Sequence, residues 1–181
     1  MKQIWPPPPL GLGTPLNLAL GKAWKPSLGM AVATGFLLPP IILLADRLLF
    51  AGVSMERVRA FVAQPLTAKL QIVATAGIVE ELVFRVIIST LVAWIVWLVT
   101  KHQTAAIWTG IAVAAVAFGL AHVANLANVP HPYLRAITLN GIAGLALGWL
   151  YWRRGLEWAW LAHLIADATM YLLLPAILLG K

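Results

Sequence analysis

The stretch between Lys69 and Lys101 is the part of the sequence that most restricts how the chain can fold. It is almost entirely apolar, and its only charged residues are Glu80, Glu81 and Arg85. As an α-helix, residues 70–100 would measure roughly 46 Å, more than the ~30 Å hydrocarbon core of a bilayer. An ionisable side chain at bilayer depth costs about 2.5–3.5 kcal/mol on insertion scales. The stretch therefore predicts a membrane-spanning helix with a paired or functional polar group inside it.

Composition extends this interpretation to the whole chain. Hydrophobic residues make up 61% of the sequence and charged residues 10%, against about 45–50% and 25% in soluble domains. We predict an all-α membrane protein, a polytopic bundle of about five transmembrane helices embedded in the lipid bilayer. The five apolar runs are approximately Leu28–Phe50, 70–100, Ala105–Leu126, 136–152 and Leu156–Leu179.

The runs divide the chain into three segments. Residues 1–27 contain four consecutive prolines and are predicted to form an extended, interfacial N-terminal arm. Residues 28–69 are predicted to form the first transmembrane helix and a polar link, and residues 70–181 the functional core. The net charge is +7, but the basic residues are scattered at the ends of apolar runs, which suits phospholipid head groups rather than nucleic acid. They divide evenly between the two sides, so the membrane orientation stays open.

Polar side chains recur at a spacing of four residues in three of the runs. The pairs are Glu81 with Arg85, Phe118 with His122, and His163 with Asp167. Residues i and i+4 share a helical face, so Glu81 and Arg85 are predicted to form an ion pair. Glu80 lies about 100° round the helix from Glu81, which leaves it free for chemistry.

Helix geometry predicts that Glu80 and His122 lie at one height. If the second and third runs form a hairpin at Lys101, each residue lies 21 positions from the turn. His163 is much closer to its own basic turn on the same side, and straight helices would leave it more than ~15 Å away in depth. Its approach to Glu80 requires tilt, a protruding hairpin or an early break near Pro130.

The residue inventory restricts the chemistry. The chain has no cysteine, no HExxH pair and only three serines, none with an evident base. An isolated EExxxR is compatible with a packing device, and an isolated membrane histidine with a helix–helix hydrogen bond. Acidic and imidazole groups on three separate runs instead indicate a functional site. They suit water attack on an amide, with a glutamate as general base, a histidine orienting the water and other groups stabilising an oxyanion.

Three short motifs, "EELVFR", "FGLAH" and "HLIAD", resemble in this order the signatures of the CPBP family. This is the CAAX-protease and bacteriocin-processing (Abi) family of intramembrane proteases, which includes the type II CAAX prenyl proteases. The resemblance covers about residues 70–180 and implies a glutamic-type endopeptidase acting on a membrane-associated peptide or protein, in a bacterial plasma membrane. The roles it implies are water activation by Glu80 with His122, oxyanion stabilisation by His163 with Asp167, and support of the first motif by Glu81 and Arg85.

One departure from the family pattern concerns Asp167, because the eukaryotic CAAX enzymes have asparagine there. An ionised aspartate cannot donate a hydrogen bond to an oxyanion. Asp167 must therefore be protonated to do so, or must instead orient His163 through a ring nitrogen.

Three alternatives stay open at the level of the sequence. The same glutamates and histidines are compatible with a proton relay in a membrane transporter element, although no inverted repeat is visible. A catalytically silent immunity or partner protein would keep the same fold. No cofactor is expected, but Glu80, His122 and His163 offer one carboxylate and two imidazoles to a zinc ion.

Overall fold

The structure, a computed structural model, describes residues 24–50, 63–126 and 129–175. In these residues the fold consists of helices joined by short connections. The predicted all-α fold is confirmed. In chain order the elements are α1 (Trp24–Phe50), α2 (Leu66–Glu81), a first π-helical segment (Leu82–Ser89), α3 (Thr90–Thr100), α4 (Gln103–Ala121), a 3₁₀ turn (Val123–Leu126), α5 (Pro132–Arg154), α6 (Leu156–Ala168) and a second π-helical segment (Thr169–Leu173).

The helices follow the predicted apolar runs, but in the described residues fewer than five of them have the length and composition of a membrane span. In the described part of the chain, three helical stretches are long and apolar enough to cross a membrane: Trp24–Phe50, Gly77–Thr100 and Gln103–Ala121. Helix α5 has two arginines in its last turn, and α6 is only 13 residues long. The chain is thus an integral membrane protein, whereas the number of five spans stays a prediction.

Two predicted segments lie mainly outside the described residues. Most of the N-terminal arm and most of the polar link fall in residues 1–23 and 51–62, which are not described. Helix α1 begins at Trp24, four residues earlier than the predicted boundary at residue 28, and continues through Pro39 and Pro40. A proline in the first turn, such as Pro26, is compatible with this early start because first-turn N–H groups have no partner within the helix.

Small residues allow α4 and α5 to pack closely as an antiparallel pair. A Cβ atom on Gly144 would lie 2.8 Å from the Cα atom of Ala115, and one on Gly148 would lie 2.9 Å from the side chain of Ile111. The contact points move toward the start of α4 as they move toward the end of α5. The small face around Gly144 and Gly148 is therefore the α4 interface.

Helices α1 and α6 run in the same direction. Arg154, at the end of α5, donates from Nε to Met30 Sδ at 3.2 Å, so α6 begins beside the first turns of α1. Further along both helices, a Cβ atom on Gly35 would lie 2.6 Å from Ile165 Cβ. Between α5 and α6 the chain turns at Gly155, whose φ of 112° is a conformation that glycine adopts without a steric penalty. Successive passes of the chain therefore alternate in direction.

A buried ion pair joins α1 to α5. Arg135 donates from Nη2 to Asp46 Oδ2 at 2.6 Å, and the Asp46 side chain is 1% exposed. Truncating one partner of such a pair typically costs about 3–5 kcal/mol, because the other charge is left buried without compensation. The pair fixes the end of α1 against the start of α5.

The first π-helical segment is held by a side-chain hydrogen bond at its end. Thr90 Oγ1 donates to the Arg85 carbonyl oxygen at 3.0 Å, and Tyr151 Oη of α5 lies 3.1 Å from the same hydroxyl. π-Helical turns occur mostly as single insertions within α-helices, frequently at functional sites. This one begins immediately after Glu81.

Candidate active site

The two adjacent glutamates have different environments. Glu81, the last residue of α2, is 1% exposed and accepts hydrogen bonds from Arg85 Nε at 3.0 Å and Nη2 at 3.2 Å. The predicted ion pair is present and is bidentate. Glu80 is 24% exposed and faces the interior of the bundle near His122 and His163.

Glu81 also holds His163. The Nδ1 atom of His163 lies 2.9 Å from Glu81 Oε1, and because a carboxylate can only accept, Nδ1 carries a proton and donates it. The Nε2 atom of the same ring then faces Glu80 Oε2 at 3.6 Å. Glu81 therefore positions His163 as well as neutralising Arg85, a contact that the four-residue spacing did not predict.

His122 is oriented by its own helix. It follows the last residue of α4 with φ −94° and ψ 0°, the sparsely populated region in which many active-site residues lie. Its Nδ1 atom lies 2.8 Å from the Phe118 carbonyl oxygen and donates to it, so the shared face of this i,i+4 pair fixes the ring. Its Nε2 atom faces Glu80 Oε1 at 3.7 Å.

Glu80 thus lies between two imidazoles with defined tautomers. One of its oxygens faces His122 Nε2 at 3.7 Å and the other faces His163 Nε2 at 3.6 Å. Both distances are longer than a direct hydrogen bond, which is 2.7–3.2 Å for nitrogen and oxygen. Polar contacts of this length suit a bridging water molecule.

Asp167 faces the same nitrogen of His163 as Glu80 does. Its Oδ2 atom is 3.7 Å from His163 Nε2, and its side chain is 18% exposed. Since Glu81 occupies Nδ1, a carboxylate at Asp167 is not required to orient the ring from that side. Two roles were considered for Asp167: donating a hydrogen bond to the oxyanion, or orienting His163. The geometry favours the first of these.

The ring of Phe118 joins the three motifs. Its centroid lies 4.6 Å from that of His122 and 5.9 Å from that of His163. The Arg85 guanidinium lies over the same ring at 5.3 Å, and Phe84 packs against it edge-on at 5.2 Å. This buried aromatic residue excludes water from the Glu81–Arg85 pair and limits the movement of both histidines.

A cavity of about 210 Å³ opens beside Glu80. Its polar lining residues include Asn140 and Tyr171, which the sequence did not single out as site members. Asn140 donates to the Ala136 carbonyl oxygen at 3.1 Å, so it is fixed to its own helix as a cavity wall. Leu38, Pro39 and Ile42 of α1 form the opposite wall, and no sequence motif marked that contribution.

The expected difference in depth between His163 and Glu80 is wrong. The estimate assumed straight α-helices from Lys101 to Glu80, but residues 82–89 of that path are π-helical. A π-helix has i→i+5 hydrogen bonds and therefore more residues per turn, so the path is slightly shorter than an α-helix of equal length, which accounts for only a small part of the difference. Gly77 of α2 lies beside α6, where a Cβ atom would be in ordinary van der Waals contact with Trp160 at 3.6 Å and with His163 Cγ at 4.0 Å.

The structure therefore brings together all six residues predicted from the sequence. Glu80, His122, His163 and Asp167 surround one cavity, and Glu81 with Arg85 lies directly behind them. Fold and site define an all-helical membrane protein with a carboxylate–imidazole cluster enclosed among its helices.

Residues 62–169 match the family model described as type II CAAX prenyl endopeptidase Rce1-like. The match covers well over half of the chain, and the protein belongs to this family of CAAX-type intramembrane proteases. No curated protein and no solved structure matches the chain.

Proposed function

We propose that the protein is a glutamic-type intramembrane endopeptidase of a bacterial plasma membrane, with Glu80 as its general base. The observation that supports this most directly is the pair of Nε2 atoms that face the two oxygens of Glu80 at 3.6 and 3.7 Å. Each imidazole is oriented through Nδ1 by a separate acceptor. This arrangement suits a water molecule held next to a base, with donors available nearby.

In the first step, a water molecule lies between Glu80 and His122. It donates one hydrogen bond to the Glu80 carboxylate and one to His122 Nε2, which carries no proton while Nδ1 donates to Phe118. The water oxygen then attacks the carbonyl carbon of the scissile peptide bond, and its proton moves to Glu80. A positioned base of this kind contributes about 10²–10⁴ to the rate.

In the second step, the tetrahedral oxyanion is stabilised by His163 and Asp167. When His163 is protonated on both nitrogens, Nδ1 donates to Glu81 and Nε2 donates to the oxyanion. A protonated Asp167 is the second donor. The oxyanion then collapses, the carbon–nitrogen bond breaks, and the proton on Glu80 passes to the leaving amine.

The substrate is a membrane-associated peptide or protein. The cavity is lined by apolar residues mainly of α1 and α5 and holds about 210 Å³, which suits a short peptide segment together with the attacking water. The scattered basic residues noted above offer no clustered face for nucleic acid.

Zinc is the competing form of water activation, with Glu80, His122 and His163 as ligands. Within the described ranges, no group of three or more His, Cys, Asp or Glu side chains has the arrangement of a metal site. We propose the metal-free mechanism, and elemental analysis of purified protein tests it directly. A stoichiometric metal, together with loss of cleavage in 1,10-phenanthroline, would replace the glutamic mechanism with a metal-assisted one.

The test of function is cleavage of reporter peptides by protein reconstituted in lipid. A prenylated CAAX peptide and an unprenylated membrane-spanning peptide distinguish the two substrate classes. Glu80→Gln keeps the shape of the side chain but cannot take the proton from water, so cleavage should fall at least about 100-fold. His122→Ala should lower cleavage by a similar factor, since groups acting as a unit lose activity together.

The matched control is Glu157→Gln, the same chemical change in the first turn of α6 and outside the cavity. It should retain cleavage. Full activity of the Glu80→Gln protein would exclude the glutamic mechanism. Proton flux that depends on Glu80, without cleavage, would favour the transporter, and a folded protein with neither activity would favour a silent partner.

A further inference from the structure

Asn140 of α5 carries a side-chain amide on the wall of the cavity that contains Glu80. Its Nδ2 atom donates to the Ala136 carbonyl oxygen at 3.1 Å. Because a backbone carbonyl can only accept, the amide nitrogen is the atom turned toward the helix, and the amide oxygen Oδ1 lies on the other side. In the described part of the chain no donor bonds to Oδ1, and this oxygen is open to the cavity rather than enclosed. The wall thus carries an acceptor that a ligand can reach.

The amide of Asn140 lies at the level of His122. A Cβ atom on Gly119 of α4 would lie 3.0 Å from the Ala136 carbonyl oxygen, the same oxygen that accepts from Asn140. Phe118, the residue before Gly119, lines the cavity together with Asn140, and its ring centroid lies 4.6 Å from that of His122. The acceptor is therefore level with the place where the attacking water is proposed to bind.

The contacts of Asn140 do not explain it as a structural bond between helices. Polar side chains in membrane helices commonly bond across to a neighbouring helix, whereas among the described residues Asn140 bonds to its own helix alone. That bond is also redundant for α5, because the backbone N–H of residue 140 is the α-helical donor for the Ala136 carbonyl. A polar group at membrane depth is costly. An amide oxygen that stabilises no other helix therefore indicates a ligand.

A peptide that enters this cavity needs backbone acceptors. To be hydrolysed it must unwind locally, so that the scissile carbonyl is accessible to water. Its unwound N–H groups then lack partners in a hydrocarbon environment, where unsatisfied backbone groups are costly. In the proposed mechanism Glu80 is engaged by the attacking water, while His163 and Asp167 act as donors. The Asn140 amide is uncharged and takes up no proton, so it can accept an N–H without competing with the base.

We propose that Asn140 is a substrate-binding residue whose Oδ1 accepts a backbone N–H of the unwound peptide near the scissile bond. The inference rests on the proposed function for the identity of the ligand, a membrane-associated peptide. Ala143 and Leu147 continue the same face of α5 along the cavity. Asn140 is thus the polar contact of an otherwise apolar wall.

Asn140→Leu tests this assignment, because leucine has nearly the same shape but no acceptor. The Ala136 carbonyl keeps its backbone donor, and an apolar side chain is less costly at membrane depth, so thermal stability should not fall. We expect the KM for the reporter peptide to rise about five- to tenfold, the equivalent of one net hydrogen bond. The kcat should change little, since the bond is present in the bound peptide and in the transition state alike. A merely structural role would instead lower stability.

Two further variants separate the lost hydrogen bond from other effects. Gln103→Leu is the matched control, because it also exchanges an amide for leucine, at the exposed first residue of α4 and outside the cavity. It should leave KM unchanged. Asn140→Ala removes the acceptor and enlarges the cavity, so it should weaken binding as Asn140→Leu does. Normal affinity of the Asn140→Ala protein would show that leucine merely blocks the cavity, and would overturn the proposal.

An ester that replaces one backbone amide of the peptide tests the N–H directly, because an ester lacks that donor. Binding is measured separately from cleavage, by fluorescence anisotropy of labelled reporter peptides on nanodiscs, with Glu80→Gln in every protein. At one position beside the scissile bond, the ester should weaken binding about five- to tenfold when Asn140 is present, including in Gln103→Leu, but not in Asn140→Leu. An ester effect of the same size with and without Asn140 would overturn the proposal.

Failure of the binding site and failure of the peptidase proposal give different results. Loss of affinity in Asn140→Leu with no cleavage by the wild-type protein would support the binding site and overturn the peptidase proposal. Normal cleavage by the wild-type protein, with equal affinities in the Asn140→Leu and Gln103→Leu proteins, would overturn the binding site alone. No saturable binding to any of the proteins would also overturn it.

Discussion

Replacing Glu81 with glutamine disturbs both of the contacts that this residue makes. The carboxylate accepts from Arg85 Nε and Nη2 at 3.0 and 3.2 Å and from His163 Nδ1 at 2.9 Å. Glutamine has one acceptor oxygen and an amide nitrogen that can only donate. Whichever way the amide is turned, its nitrogen meets a donor of Arg85 or of His163. The substitution therefore disturbs a buried cation and the tautomer of a histidine together.

The expected loss of stability follows from the burial of the pair. Arg85 is 0% exposed and Glu81 is 1% exposed, so the guanidinium is left buried without its counterion. Breaking a buried pair from one side costs about 3–5 kcal/mol. At about 2–4 °C per kcal/mol for a chain of this size, the melting temperature should fall by roughly 6–20 °C. Thermal denaturation in detergent, followed by tryptophan fluorescence, measures the change.

The double variant Glu81→Gln/Arg85→Met distinguishes stability from catalysis. Removing both charges eliminates the uncompensated cation, and replacing a buried ion pair by neutral groups is often close to neutral in stability. Most of the lost melting temperature should therefore return. Cleavage should stay at least about 100-fold low, because His163 still lacks a carboxylate acceptor at Nδ1.

Two results would refute this reasoning. A Glu81→Gln protein with wild-type thermal stability would show that the Arg85 pair is not a buried, charged interaction. A double variant that regains full cleavage would show that Glu81 serves only to neutralise Arg85 and that its bond to His163 has no effect on catalysis.

Two further substitutions test other parts of the structure. Asp167→Asn should keep or raise cleavage, and should extend it to higher pH, because an amide donates to the oxyanion without needing a proton; a loss of more than about tenfold would instead assign Asp167 an essential carboxylate. Asp46→Asn should lower the free energy of unfolding by about 3–5 kcal/mol, since it leaves Arg135 buried opposite a neutral amide. Cleavage per folded molecule should not change in that variant, and a melting temperature equal to that of the wild-type protein would contradict the prediction.

The contacts that were predictable from the sequence are local to one helix. The Glu81–Arg85 pair and the placing of His122 on the face of Phe118 both follow from i,i+4 spacing, which needs no knowledge of neighbouring helices. The free orientation of Glu80 follows from the same periodicity. These features depend only on the chain being helical, and long apolar runs indicate that strongly.

The contacts that were missed join helices that are distant in sequence. Arg135 bonds to Asp46 across 89 positions, and His163 bonds to Glu81 across 82. Helix periodicity predicts neither of these two separations in sequence, because the packing of the whole bundle decides which helix faces meet. The wall that α1 contributes to the cavity was missed for the same reason. The depth of His163 was misjudged for a similar reason, because the estimate took the helices as straight and parallel to one another.

The π-helical segment gives this helix one place where a change of length does not have to turn its two ends relative to each other. In a regular α-helix, the loss or gain of one residue rotates everything beyond it by about 100°, which would turn the face carrying Glu80 out of the cavity. A π-helical turn holds about one residue more than an α-helical turn, so the loss of one residue within Leu82–Ser89 converts it to an α-helical turn and leaves both ends facing as before. In the history of such a chain, a change of length by one residue should therefore be accepted more readily in this segment than in α2 or α3.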